Sequence, residues 1–309
     1  MSSVEASPLD DGKCIFFESM FERLNRWLSP YVKLEPFELA IAMTLVVFCV
    51  ERHGEPQLLL LSALGLLVPK LGRSGFYWIL MTITHYAGHW EKFDSSGNHW
   101  YLYGYWCMGI TLSLFCPDPK KALTEAARWL IVLVFFFAVF WKVTSVEYID
   151  GRYFDYCILA DARFTPVGLL CGIDGQTAIA NRDLLSAYIY LADVEGSVQL
   201  TTTKWVPVAS FILTWWTLLI ESAVCISFGL PKRKNSHFLR QALLIVFIYT
   251  TYSIAQVNGF GWILIAMGIS QVKRDSKPLY LGLYLFAFIC IFCSTHPGIR
   301  GILAHLNLL

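Results

Sequence analysis

The sequence predicts an all-α integral membrane protein: a bundle of about eight or nine transmembrane or re-entrant helices with a cap loop outside the bilayer. Three observations predict it. The 309 residues are 56% hydrophobic and only 15% charged, with a mean hydropathy of +0.53, whereas soluble domains carry about 25% charged residues. Nine apolar stretches follow one another, at roughly 36–50, 57–69, 76–90, 100–117, 125–142, 205–230, 237–255, 257–272 and 278–296. The basic residues gather in alternate connections between these stretches, as the positive-inside rule requires of a multi-pass protein.

Residues 1–35 are polar and mixed, and Phe16, Phe17, Met20, Phe21, Leu24, Trp27 and Leu28 recur at helical spacing. That pattern predicts an amphipathic interfacial helix ahead of a single transmembrane domain at 36–309. No cleavable signal peptide is legible. Several apolar stretches, 57–69 above all, fall short of the ~20 residues of a perpendicular span, so tilted or re-entrant segments are expected.

Charge sets the orientation. The connections after even-numbered stretches hold Lys70, Arg73, Lys120, Lys121, Arg128, Lys232, Arg233, Lys234, Arg240, Lys273, Arg274 and Lys277, against Asp118, Glu125 and Asp275 alone. These connections and the amino terminus are therefore expected in the cytoplasm, and the 91–99 and 143–204 loops on the opposite side. A net charge of +1 argues against a nucleic-acid partner. Membrane lipids are the expected surroundings.

The 89–106 stretch concentrates polar and aromatic side chains at one loop-to-helix junction. Ser95, Ser96 and Gly97 are turn formers, and Asn98 could cap a helix that His99 begins. Two readings stand. His89, Asn98 and His99 belong to an interfacial belt with Trp90, Trp100, Tyr101 and Trp106, or a neutral imidazole there does chemistry. His85 and His89, four apart, share a helix face. With His99 they form a minimal metal-ligand set, a weak alternative to the expectation of no metal.

Lys142 ends the run WLIVLVFFFAVFW, in which nothing carries a charge. A lysine there either snorkels to the interface or is held for chemistry. The 143–204 loop that follows holds many aromatics, a GIDGQ turn and the helical-looking NRDLLSAYIYLADVEG. An ordered cap over the bundle is expected, closing a cavity over Lys142 and His99 or seating a partner protein. Cys157 and Cys171 within it could form a disulfide in an oxidising compartment. The remaining cysteines read as packing residues. Glu221 lies inside WWTLLIESAVCISF, where a carboxylate is expensive. It is expected to pair with a base such as Lys142 or Arg128, or to line a polar cavity.

Two motifs carry a family resemblance. Asn98-His99-Trp100-Tyr101-Leu102-Tyr103-Gly104 resembles the NHSYLYG-type motif of the vitamin K-dependent γ-glutamyl carboxylases. Phe137 to Val143, followed by Glu147-Tyr148-Ile149-Asp150-Gly151, is similar to the lysine segment of that family. Order and spacing fit the membrane domain also called the horizontally transferred transmembrane domain, over roughly residues 30–295. The resemblance implies Lys142 as a general base acting on a quinol, with His99 as an acid or electrostatic helper and Asn98 orienting it. A vitamin K-like quinol would be the cofactor.

Departures narrow that implication. No counterpart of the carboxylase's large lumenal β-rich region is legible, so propeptide-directed carboxylation is not expected. The family's late-helix histidine is missing from Tyr252-Ser253-Ile254-Ala255-Gln256, and Trp141 stands where the carboxylase has a second lysine. Two functions follow: a carboxylase-like membrane enzyme on a quinol or other lipophilic substrate, with Lys142, His99, Asn98 and Glu221 as its catalytic candidates, or a non-catalytic subunit binding a partner or lipid. A transporter ranks below both, because no inverted pair of broken helices is evident.

Overall fold

A computed structural model describes residues 35–50, 55–90, 97–190, 198–231, 236–255, 257–273 and 277–295. The amphipathic segment expected before residue 35 lies outside the described residues. Each of the nine apolar stretches is a helix: α1 Pro36–Val50, α2 Pro56–Leu67, α3 Gly75–His89, α4 Asn98–Leu114, α5 Pro119–Thr144, α8 Val206–Gly229, α9 Ser236–Tyr252, α10 Asn258–Ser270 and α11 Lys277–Thr295. The cap adds α6 Arg152–Ala160 and α7 Gly175–Tyr190, with single turns at Val146–Ile149 and Thr165–Leu170. No strand occurs among the described residues.

Among the described residues two helices are long and apolar enough to cross a membrane, α5 with 26 residues and α8 with 24. At 1.5 Å per residue they extend about 39 Å and 36 Å. The other apolar helices are shorter; α2 has 12 residues, or about 18 Å. The start of α5 is written locally: Pro119 occupies its first position and the Asp118 carboxylate accepts from the Lys121 N–H. Its inner stripe is Leu123, Ala127, Ile131 and Phe135, whereas Leu133, Phe136, Phe137, Phe140 and Trp141 are exposed. Large apolar side chains cover the outside of α8 in the same way, among them Phe211, Ile212 and Leu219.

Helix α10 is the hub. It is buried continuously from Gly261 to Ser270 and packs on α1, α4, α5, α9 and α11. A helix apolar on every side is stable only when surrounded. Gly268 lets the Tyr284 ring close on it, since a Cβ there would lie 2.5 Å from that ring.

The carboxyl end of α8 is held from outside. Arg128 donates to the carbonyls of Phe228 (2.7 Å) and Leu230 (2.9 Å), and Arg240 to that of Ser227 (2.8 Å). Both arginines are buried, so these bonds satisfy both the guanidinium groups and carbonyls that a helix terminus leaves open. At the same end Arg73 pairs with Glu38, and Lys120 with Glu35. The cap has its own apolar core, in which Phe154, Cys157, Ile158, Phe164 and Ile173 pack on Val206, Leu213 and Leu218 of α8.

Candidate functional site

Four polar residues break the apolar surface of α8 at helical spacing: Ser210, Thr214, Thr217 and Glu221. Each meets the carboxyl end of α5 or the chain that leaves it. Ser210 donates to Asp155 at 2.6 Å, Thr214 to the Tyr148 carbonyl at 3.5 Å, and Thr217 shares a 2.5 Å hydrogen bond with the Tyr148 hydroxyl. Glu221 accepts a hydrogen bond from the Lys142 ammonium, closing an ion pair.

The chain folds this way for local reasons. Ser145 ends α5 in extended geometry, and its hydroxyl accepts from the Tyr148 N–H at 3.2 Å. Gly151 then takes φ +88°, a conformation favouring glycine. That turn sends α6 back against α8, while the break at Ser145 sets Tyr148 over the pair, with the Lys142 nitrogen 5.2 Å from its ring centroid. An ammonium over an aromatic face is a favourable arrangement. Burial holds the Tyr148 phenol above its usual range, so it stays protonated.

Lys142 therefore does not snorkel freely. Its side chain is 22% exposed and that of Glu221 8%. Of the two bases offered as partners for Glu221, Lys142 takes it, while Arg128 serves the end of α8 and contacts Glu125 at 3.5 Å. Around the pair stand Tyr252, within electrostatic range of Glu221, and the Phe135–Phe247 contact one or two turns along α5 and α9, at 4.7 Å between centroids.

Asn98 and His99 begin α4. Asn98 is exposed at the first position of α4, and Gly97 occupies the cap position without a side-chain bond, so Asn98 is not the cap expected of it. The Gly97 carbonyl instead accepts from the Trp100 N–H at 2.9 Å. His99 rests on Gly259, where a Cβ would lie 2.5 Å from its ring, whereas Tyr252 rests on Gly261. Successive helix positions turn by about 100°, so Gly259 and Gly261 face nearly opposite ways. His99 and Tyr252 thus touch α10 on different faces.

The histidines form an aromatic cluster, not a ligand set. His85 Nε2–H donates to the Trp100 carbonyl at 2.8 Å, and His89 Nδ1–H to the His85 carbonyl at 2.9 Å. Among the described residues no three of His, Cys, Asp and Glu converge on a common point. Cys157 and Cys171 are both buried free thiols in the cap core, not a disulfide; the loop is ordered by apolar packing instead. Tyr148, Thr217 and Tyr252 were not singled out by sequence reasoning. The stripe spacing on α8 is the signal that points to Thr217; nothing local points to the other two.

No known family, curated protein or solved structure matches this chain.

Proposed function

We propose that the chain is a multi-pass membrane protein with an enzymatic proton-transfer site of the carboxylase-like kind, in which Lys142 is the general base toward a quinol or similar lipophilic hydroxyl compound. The single observation that carries this is the Lys142–Glu221 pair, drawn inward beneath Tyr148 at the end of a long apolar helix. An ion pair in such surroundings is expensive and is commonly retained for function. The exposed apolar belt of α5 and α8 supports placing the bundle in lipid. Lys120, Arg73, Arg128 and Arg240 would face the cytoplasm, and the cap the opposite compartment.

In this reading a lipid-soluble substrate enters sideways from the bilayer. The neutral Lys142 amine takes the hydroxyl proton, the proton it shares with Glu221 residing on the carboxyl group at that stage. The ammonium formed is stabilised by Glu221 and the Tyr148 ring. A quinol cofactor would supply the acidic hydroxyl. The proposal rests on Lys142 and Glu221, which the structure brings together.

Hydroquinone-dependent oxygen uptake by the protein in lipid nanodiscs tests this. Wild type should show turnover that Lys142→Ala abolishes; full activity in Lys142→Ala removes the lysine from the mechanism.

One observation favours a second reading, a subunit that docks a partner through its cap. The cap exposes Leu169, Leu170, Ile179 and Leu184, with Leu170 87% exposed. A Leu170→Glu substitution that removed the protein's cellular role while leaving hydroquinone turnover intact would support docking as a separate function.

A further inference from the structure

The Lys142–Glu221 pair uses only part of the polar capacity around it. Glu221 Oε2 is buried and has no hydrogen-bond partner among the described residues, and neither has the hydroxyl of Tyr252. Both residues are 6% exposed. They project from neighbouring helices, α8 and α9, which the Trp216 N–H and the Thr250 hydroxyl bond together at 3.3 Å a turn or so away, and lie within electrostatic range of one another. Beneath them Phe247 packs 6.1 Å from the Tyr252 ring and 4.7 Å from Phe135, centroid to centroid. Above them Tyr148 covers Lys142.

Buried polar groups are almost always satisfied, and leaving one unmade is expensive. Here the two open groups are complementary. The carboxylate oxygen accepts, and the phenol both donates and accepts. A single hydroxyl can satisfy both at once, giving its proton to Glu221 and receiving one from Tyr252. A carbonyl oxygen could use only Tyr252, and an ether could donate to neither.

We infer that Tyr252 is a positioning residue, and that with Glu221 Oε2 it holds the hydroxyl of a lipophilic phenol or hydroquinone, whose proton passes to Oε2 as the proton on Oε1 returns to Lys142. This rests on the proposed proton-transfer reading and adds to it the second contact and the selection of the reduced, hydroxyl-bearing form of the ligand. Among the described residues nothing bonds to the Tyr252 hydroxyl, while its ring packs on Phe247 and Gly261. Tyr252→Phe therefore removes the proposed contact and keeps the packing.

The test is anaerobic binding of 1,4-naphthohydroquinone and of its dimethyl ether to the detergent-solubilised full chain, followed by tryptophan fluorescence, with thermal melting of each variant alongside. Wild type should bind the hydroquinone at least tenfold more tightly than the ether. Tyr252→Phe should lose about tenfold in hydroquinone affinity, the worth of one hydrogen bond to a charged or polar site, with ether binding and melting unchanged. Equal hydroquinone binding by wild type and Tyr252→Phe overturns the role of Tyr252 and leaves Lys142 as a base untouched. A lowered melting temperature with unchanged binding makes the hydroxyl structural and also overturns it. Failure of wild type to prefer the hydroquinone to the ether rejects the ligand class, and the proposed substrate falls with it.

Discussion

Lys142 and Glu221, 79 positions apart in sequence, meet where the end of α5 crosses the middle of α8. Neither helix end nor loop forces this contact. It exists because the inner stripe of α5, Ile131 and Phe135, and the polar stripe of α8 face the same interior. Any account of the protein has to explain why an apolar contact carries a charge pair at that level.

Breaking the pair from one side should be worse than removing it. Glu221→Leu alone leaves an ammonium beside an apolar wall and should destabilise the protein by roughly 3 kcal/mol, whereas Lys142→Met with Glu221→Leu should come within about 1 kcal/mol of wild type. Melting of the two single variants and the double variant in detergent measures the coupling. Additive losses would mean that the two side chains do not interact.

The cap should loosen in acid. The Thr177 N–H, at 2.8 Å, and the Thr177 hydroxyl hold the Asp174 carboxyl below its ordinary range. Burial pushes the Asp161 carboxyl up, but the bonds from Arg163 outweigh it and leave that group lowered as well. A depressed folded value contributes stability above the unfolded value, near 3.9, and loses it as pH falls through the folded one. Hydrogen exchange over residues 152–178, corrected for intrinsic rates, should accelerate below about pH 4. In an Asp161→Asn, Asp174→Asn variant that acid step should vanish.

Gly259 should be intolerant of a side chain because of His99. A Cβ there would stand 2.5 Å from the His99 ring, well inside contact distance, so Gly259→Ala should lower the melting temperature. His99→Ala in the same chain should restore most of the loss. Failure of that rescue would place the constraint in the backbone of α10.

Sidedness is open to thiol labelling. Cys116 is exposed at the basic end of the bundle, and Leu170 is exposed in the cap. In intact cells an impermeant maleimide should modify a Leu170→Cys variant at residue 170 and reach Cys116 only after permeabilisation, as read by mass spectrometry. The reverse pattern would invert the topology.

Much of the fold is legible along the chain because helix formation is local. Pro36 and Pro56 open helices where apolar stretches begin, Pro119 opens one shortly before its stretch, and the nine stretches are nine helices. The site is legible only in part. Lys142 and Glu221 stand out because a charge in an apolar run is conspicuous. Their pairing, the seating of Tyr148 over Lys142 and the approach of Tyr252 are packing outcomes with no local signature. The seating of His99 on Gly259 of α10 is likewise a packing outcome that spacing along the sequence does not encode. The cysteine spacing in the cap suggested a bridge, but both thiols are used as small apolar side chains.

In the proposed reaction Lys142 removes a proton from a bound lipophilic hydroxyl. Anaerobic absorbance spectroscopy of 1,4-naphthohydroquinone with the protein in nanodiscs tests it most directly, because the naphtholate anion absorbs at longer wavelength than the neutral form. Wild type should produce the red-shifted band at neutral pH, and Lys142→Ala should bind the hydroquinone without shifting it. The same red-shifted band in Lys142→Ala, or a bound hydroquinone that stays neutral in wild type, would contradict the account.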